Sequence, residues 1–332
     1  MENRQKKSTS KKEIKNILPT VGSIGFGSMA SAFCRILKNN GISITIGARS
    51  KCSQSALNAK ASDFKVVTTI NCIKNSDYIL LAIPDNNIPE FFKKHNKSLF
   101  AGKCVILCHG YSFLYTPEIF PENCDVILIS PNAIANKFYE NSISGDKNYA
   151  LTSLLQNATG GAHKRLERFC RALNLEKNCL VKLTAKQEVV SDLFAEQTLL
   201  VGGILALITA SFETMKKNGI PAQAAYLSTF HEIKYIVDTI CENGIGKFIN
   251  NISTTALYGS IAAIWESGFI DEIEKKFNDI YQNINSGNFY DELKEINRLS
   301  GRKNKIERHI KNILKSDICK IYERNEQKRH TK

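Results

Sequence analysis

Several features are scarce or missing in this chain of 332 residues. There are ten cysteines, but none stands in a CxxC pair, so a zinc centre built on paired thiolates is not expected. Several lie inside apolar runs such as Lys103-Cys-Val-Ile-Leu-Cys108, and buried thiols in a reducing, cytoplasmic setting fit them best. No apolar run of about 20 residues is free of polar interruption, so neither a transmembrane helix nor a membrane partner is expected. The first residues, Met1 to Asn16, are rich in Lys and Ser and lack an apolar core, so a secretory signal is not expected either. The formal charge is +13, but residues 1–16 hold six Lys or Arg against two Glu, and residues 320–332 hold five against two. The body is only mildly basic. A nucleic-acid reader would gather basic and aromatic residues on a folded face. The two ends therefore read as disordered, solvated tails at 1–16 and 320–332, and no nucleic-acid partner is expected.

What the chain does have is rhythm. Short apolar runs at Thr20–Gly25, Ser43–Ala48, Phe64–Thr68, Tyr78–Pro84, Cys104–His109 and Asp125–Pro131 read as strands. Helical stretches at Ser28–Asn39, Ser53–Ala61 and Asn87–His95 fall between them. The alternation predicts an α/β domain over 17–183, a Rossmann-like, doubly wound and mostly parallel sheet. From about residue 184 strand signals vanish. Long apolar-periodic stretches at Glu188–Asn218, Ala222–Asn243, Ser253–Ser267 and Ile270–Asn285 predict an all-helical domain over 184–319. It is too hydrophobic for one layer of helices, and a dimer interface is one way to hide the excess.

The first predicted strand runs into Gly25-Phe26-Gly27-Ser28-Met29-Ala30 and then a helix. This is G-x-G-x-x-A in the strand–turn–helix setting that a dinucleotide site needs. The first glycine makes the tight turn, the second lets backbone approach the pyrophosphate, and the small third residue lets helix and strand pack closely. The pyrophosphate would rest on the helix N-terminus. The second strand lacks the acid that binds the ribose 2′-OH of NAD. It continues instead as Arg49-Ser50-Lys51-Cys52-Ser53, whose cations and hydroxyls suit a 2′-phosphate, so NADPH is expected unless this is simply a solvated loop. Further candidate cofactor contacts are Asp85, Asn86, Asn87 and Ala135. His109 ends a strand at the carboxyl edge, where α/β sheets bind ligands, although a histidine that merely caps the strand would look the same.

In the helical half, Asp192 and Glu196 stand four residues apart within an apolar run, on one helix face. Like charges at that spacing repel. Either both lie on a wet edge of an otherwise buried helix, or a hard dication such as Mg²⁺ holds them.

With these residues in view, the chain resembles the ketol-acid reductoisomerase (acetohydroxyacid isomeroreductase) family in its short bacterial form. The matches are Gly25-Phe-Gly-Ser28, Cys108-His-Gly-Tyr111, Asp192-Leu-Phe-Ala-Glu-Gln197, Gly202-Gly203, Ala210-Ser-Phe-Glu-Thr214, His231-Glu-Ile-Lys234 with Ile236-Val-Asp238, and Ile252-Ser-Thr-Thr-Ala256 with Tyr258-Gly259. The resemblance implies a Rossmann domain for NADPH and a helical, knotted domain for two Mg²⁺ ions. It implies that Asp192 and Glu196 are metal ligands, that Asp192 bridges the two ions, and that Glu232 is a further ligand. Ser253 would meet the substrate carboxylate, and His109 would be the active-site histidine. The implied reaction converts 2-acetolactate or 2-aceto-2-hydroxybutyrate to the 2,3-dihydroxy acid on the way to valine and isoleucine. The implied assembly is a homodimer with shared sites.

Three positions depart from the family pattern. Ser228 replaces a metal-site Glu, which puts the second metal in doubt. Asn132 replaces a Lys near substrate and metals, and Leu257 replaces an acid after the Ser253 motif. Two alternatives therefore stand beside the full reaction: an NADPH-dependent 2-keto acid reductase with the isomerase step lost or altered, and a non-catalytic NADPH-binding homologue.

Overall fold

The computed structural model describes residues 19–296 and 300–330, so the expected 1–16 tail lies outside the described residues. The chain divides into two compact units, residues 1–189 and 190–332.

The N-terminal unit is built on one eight-stranded sheet in the order β3-β2-β1-β4-β5-β6-β7-β8. The strands are β1 Val21–Ile24, β2 Ile44–Ala48, β3 Lys65–Thr68, β4 Tyr78–Leu81, β5 Cys104–Leu107, β6 Asp125–Pro131, β7 Ala150–Asn157 and β8 Leu180–Lys182. Every neighbouring pair is parallel except β6 with β7. Strands β1, β4 and β5 are buried throughout, the mark of a sheet covered on both faces. Alternate residues feed two separate cores, as the period of two along a strand requires. Leu80, Ile106, Ile127 and Ile129 join Phe33, Phe138 and Phe169 on one face. Ile79, Leu81, Val105, Val126 and Leu128 join Phe92, Phe100 and Phe120 on the other. Helices Ser28–Asn39, Gln54–Ala61 and Ile88–Lys94 form where the sequence places them. Strands β7 and β8 are additions to the sequence reading. In β7, Thr152 and Ser153 are buried among the apolar positions, and β8 has only three residues, so neither carries a strong hydrophobic signal.

Among the described residues the C-terminal unit holds no strand. Its expected long helices are broken by π-turns at Glu196–Leu200, Leu227–His231 and Ile261–Trp265. In the first, Val201 N–H donates to Glu196 O five residues back at 3.0 Å. The Thr198 hydroxyl donates to Phe194 O at 2.6 Å. The following pair must be glycine: a Cβ at Gly202 would stand 2.3 Å from Gln197 O, and one at Gly203 would stand 1.9 Å from Thr198 O.

One expectation is corrected here. Residues 320–330 are not a disordered tail, because a helix runs Asp317–His330. Ile318 and Ile321 bury themselves beside Ile208, Phe212 and Tyr226, and Asp317 pairs with Lys216 at 2.7 Å. Two apolar side chains at helical spacing outweigh the segment's basic composition. The most apolar window of the 33 residues Ala185–Lys217 is long and apolar enough to cross a membrane by length and composition alone. Single Gly, Thr and Ser interruptions barely lower the average. Little of that window is buried in the single chain: Leu199 is 61% exposed and Leu200 62%.

Candidate active site

The site begins at the turn after β1. Gly25 has φ +94°, and a Cβ there would meet Ala82 O at 2.3 Å. Only glycine fits this left-handed conformation and close approach. Gly27 is the opposite case: a Cβ there would meet nothing within 4 Å. Its missing side chain keeps open a space that no protein atom fills, and a pyrophosphate is of the right kind to fill it. The helix Ser28–Asn39 starts at Gly27 with no side-chain cap and no acid in its first turn, so its N–H groups and dipole favour an anion. Ala30 is buried against the sheet. The Phe26 ring packs on Phe64, centroids 5.3 Å apart, so Phe26 can offer a cofactor only its main chain.

A cavity of about 170 Å³ opens beside this turn, lined among others by Gly27, Met29, Asp85, Cys108 and His109. The fingerprint and the histidine thus share one hollow. Arg49, Ser50, Lys51, Ser53, Asn86, Asn87 and Ala135 do not line it. Arg49, Ser50 and Lys51 lie exposed after β2. Ser53 caps the helix Gln54–Ala61: its hydroxyl accepts from Ala56 N–H at 3.3 Å and donates to Ser50 O at 2.9 Å, which leaves Arg49, Ser50 and Lys51 the better phosphate partners. Asn86 and Asn87 are exposed on the 3₁₀ turn Asp85–Asn87. Asp85 itself accepts from the Ser112 hydroxyl at 2.9 Å, which ties that turn to the segment after His109. Ala135 opens the helix Ala135–Ser144 and packs against the core.

His109 does more than cap a strand. Its Nδ1 faces Glu188 Oε1 at 3.2 Å, and the other Glu188 oxygen accepts Gly110 N–H at 2.9 Å. The Glu188 side chain is fully buried. A buried carboxylate fixed by a main-chain N–H is a rigid partner for an imidazole and sets which ring nitrogen holds the proton. Gly110 is needed here, since a Cβ would press on Glu188 Oε2 at 2.9 Å. Burial pushes the neighbouring Cys108 thiol up to about 12, and the carboxylates of Asp85 and Glu188 add to it. The sequence reading missed Glu188. The signal was its place one turn before Asp192, completing an acid every fourth residue at 188, 192 and 196.

The remaining candidates lie in the C-terminal unit. Asp192 is half-buried near the end of the helix Ala185–Ala195. Glu196, one turn on, opens the first π-turn and is exposed. Ser228 sits in the second π-turn and Glu232 directly follows it, both exposed. Single-turn π-bulges often mark functional sites. The donor set is oxygen only, carboxylates with one hydroxyl, which suits a hard dication such as Mg²⁺. Ser253 caps the helix Thr254–Ser260, its hydroxyl accepting from Ala256 N–H at 3.3 Å, which leaves its own proton to donate.

Two family models cover nearly the whole chain: the acetohydroxy acid isomeroreductase NADPH-binding domain over residues 17–178, and the ketol-acid reductoisomerase C-terminal domain over 185–328. The chain belongs to the ketol-acid reductoisomerase family. A ketol-acid reductoisomerase (NADP(+)) of Petrotoga mobilis is 31% identical over 271 residues, 81% of this chain and 82% of that one. That of Methanopyrus kandleri is 33% identical over 243 residues, 73% and 74% of the two chains. Among solved structures, an NADH-preferring ketol-acid reductoisomerase from an uncultured archaeon superposes with a TM-score of 0.85 at 25% identity, covering 94% of this chain and 96% of that one. A pyrroline-5-carboxylate reductase from Coxiella burnetii shares the fold at a TM-score of 0.56 and 16% identity. The ketol-acid reductoisomerases are oxidoreductases, and this chain is one of them.

Proposed function

We propose that the chain is an NADPH- and Mg²⁺-dependent ketol-acid reductoisomerase that converts 2-acetolactate or 2-aceto-2-hydroxybutyrate to the 2,3-dihydroxy acid in branched-chain amino acid synthesis, acting as a cytoplasmic homodimer. The observation that carries this reading is the single cavity lined by both Gly27 and His109. It puts a dinucleotide turn and a titratable side chain within reach of one small molecule.

NADPH would be held by the Gly25–Met29 turn, with Arg49, Ser50 and Lys51 around its 2′-phosphate, and would supply the hydride. Mg²⁺ would be held by Asp192, Glu196 and Glu232, with Ser228 and water completing the set, and would act as a Lewis acid on the substrate oxygens. Glu188 keeps the proton on Nδ1 of His109, which makes Nε2 the nitrogen that takes or gives a proton. Ser253, donating its hydroxyl proton, orients the substrate carboxylate. The exposed leucines of Ala185–Lys217 support a second copy of the chain as their cover.

A specific observation favours a second reading. The Ser228 hydroxyl stands exposed beside Glu232 where the resemblance calls for a second carboxylate, and the neutral Asn132 and Leu257 remove one charge of each sign. A reductase of 2-keto acids with a weakened isomerase step would follow. The test is to supply 2-acetolactate and 2-keto-3-hydroxyisovalerate separately, with NADPH and increasing Mg²⁺, to the native chain and to Ser228→Glu. Turnover of both substrates by the native chain supports the full reaction. Turnover of the keto acid alone, with acetolactate turnover restored by Ser228→Glu, supports the reductase. NADPH binding without turnover of either overturns both.

A further inference from the structure

The second π-turn has two sides. On one stand Ser228 and Glu232, both exposed. On the other, Tyr226, Phe230 and Ile233 pack into the apolar cluster of the C-terminal unit. That cluster is closed by the last helix of the chain. Ile318 and Ile321 are buried in it. Tyr322 meets Phe230 edge-on, centroids 6.2 Å apart, and Phe230 in turn stacks on Tyr226 at 5.3 Å. The start of this last helix is tied to the preceding layer through Asp317, which accepts from Lys216 at 2.7 Å. A π-turn is a rare, single-turn departure from the α-helix that recurs at functional sites. This one is closed by Glu232 N–H reaching Leu227 O at 3.1 Å, so the residue that carries the carboxylate also closes the turn. What grips the turn's apolar side therefore decides where the acid stands.

We propose that the helix Asp317–His330 is a positioning element for the metal site: Ile318, Ile321 and Tyr322 hold Tyr226 and Phe230, and through them fix Glu232. This rests on the reading of Glu232 as a ligand. Retention of the dication then depends on a segment that contributes no ligand itself. Tyr322 acts as a positioning residue, since its ring meets Phe230 on the back of the turn.

The experiment uses the full chain and measures Mn²⁺ binding by electron paramagnetic resonance, with no substrate present. Amide hydrogen exchange over residues 226–236 is recorded in parallel. Tyr322 is 46% exposed, so Tyr322→Ala leaves no large cavity and is expected to fold. An aromatic pair is worth enough to predict about three- to tenfold weaker Mn²⁺ binding, faster exchange across 226–236, and recovery of both in Tyr322→Phe. Ile321→Ala is expected to act in the same direction. Glu232→Gln separates the two ideas. If it leaves Mn²⁺ affinity unchanged, the ligand reading fails whatever Tyr322 does. If it abolishes binding while Tyr322→Ala and Ile321→Ala bind Mn²⁺ as the native chain does, the positioning role is overturned.

Discussion

The carboxylate of Glu188 sits 3.2 Å from Nδ1 of His109 and is sealed from solvent. Glu188→Gln preserves the shape and keeps an oxygen for Gly110 N–H, but removes the charge that steadies the ring. We expect kcat to fall about tenfold or more with little change in NADPH affinity and an unaltered circular dichroism spectrum. A steady-state assay at saturating substrate reads this directly. An unchanged kcat would leave Glu188 with only a packing role.

The two fingerprint glycines separate stability from binding. Gly25→Ala forces a side chain into φ +94° and onto Ala82 O, which costs about 1–2 kcal/mol or more in strain and lowers Tm by several degrees. The Cβ that Gly27→Val adds meets no protein atom within 4 Å. The variant's Tm should stay at the native value while NADPH binding weakens about tenfold or more. Thermal melts with and without NADPH distinguish the two. If Gly27→Val binds NADPH normally, the pyrophosphate lies elsewhere.

Cofactor choice rests on the exposed residues after β2. Arg49→Glu replaces a cation with an anion where the 2′-phosphate is expected. The ratio of kcat/KM for NADPH over NADH should drop about tenfold or more, chiefly through KM for NADPH. A ratio that does not move would shift the assignment to Ser50 and Lys51.

Buried thiols set an alkaline limit on stability. Burial pushes Cys34, Cys108, Cys124 and Cys170 up to about 12 and Cys72 to about 11. The folded chain keeps these protons where the unfolded chain releases them, near pH 8.5. Their contribution is therefore whole below about pH 8.5 and is lost as pH rises toward 11–12. Each thiol steepens the fall by up to ~1.4 kcal/mol per pH unit. Urea melts under reducing conditions should show a sharply lower midpoint at pH 10 than at pH 8, and Cys34→Ala should flatten the difference. At neutral pH an alkylating reagent should mark the exposed Cys52 and Cys241 first, since thiolate character and access govern reactivity.

Strands β1 to β6 could be read from the sequence because their apolar runs are dense and bounded by turns, and Gly25, Gly27 and His109 could be placed because each sits at a strand's carboxyl end. Other features left weaker traces. β7 mixes Thr152 and Ser153 into its buried positions, so its period is blurred. The π-turns depend on hydrogen bonds five residues apart, to which hydrophobic periodicity is blind. Glu188 was passed over because its partner, His109, lies 79 residues away. The last helix was hidden by its own charge, which outnumbers the two isoleucines that anchor it.

The place of β1 has a consequence for how the protein is made. Val21–Ile24 is flanked by β2 on one side and β4 on the other, and Gly25 is shaped against Ala82. A nascent chain that has emerged only as far as the second strand lacks the wall against which its first loop is moulded. The nucleotide cradle can take form on the ribosome only after the fourth strand has cleared the exit tunnel, so pauses in translation before that point leave an apolar strand without one of its two neighbours.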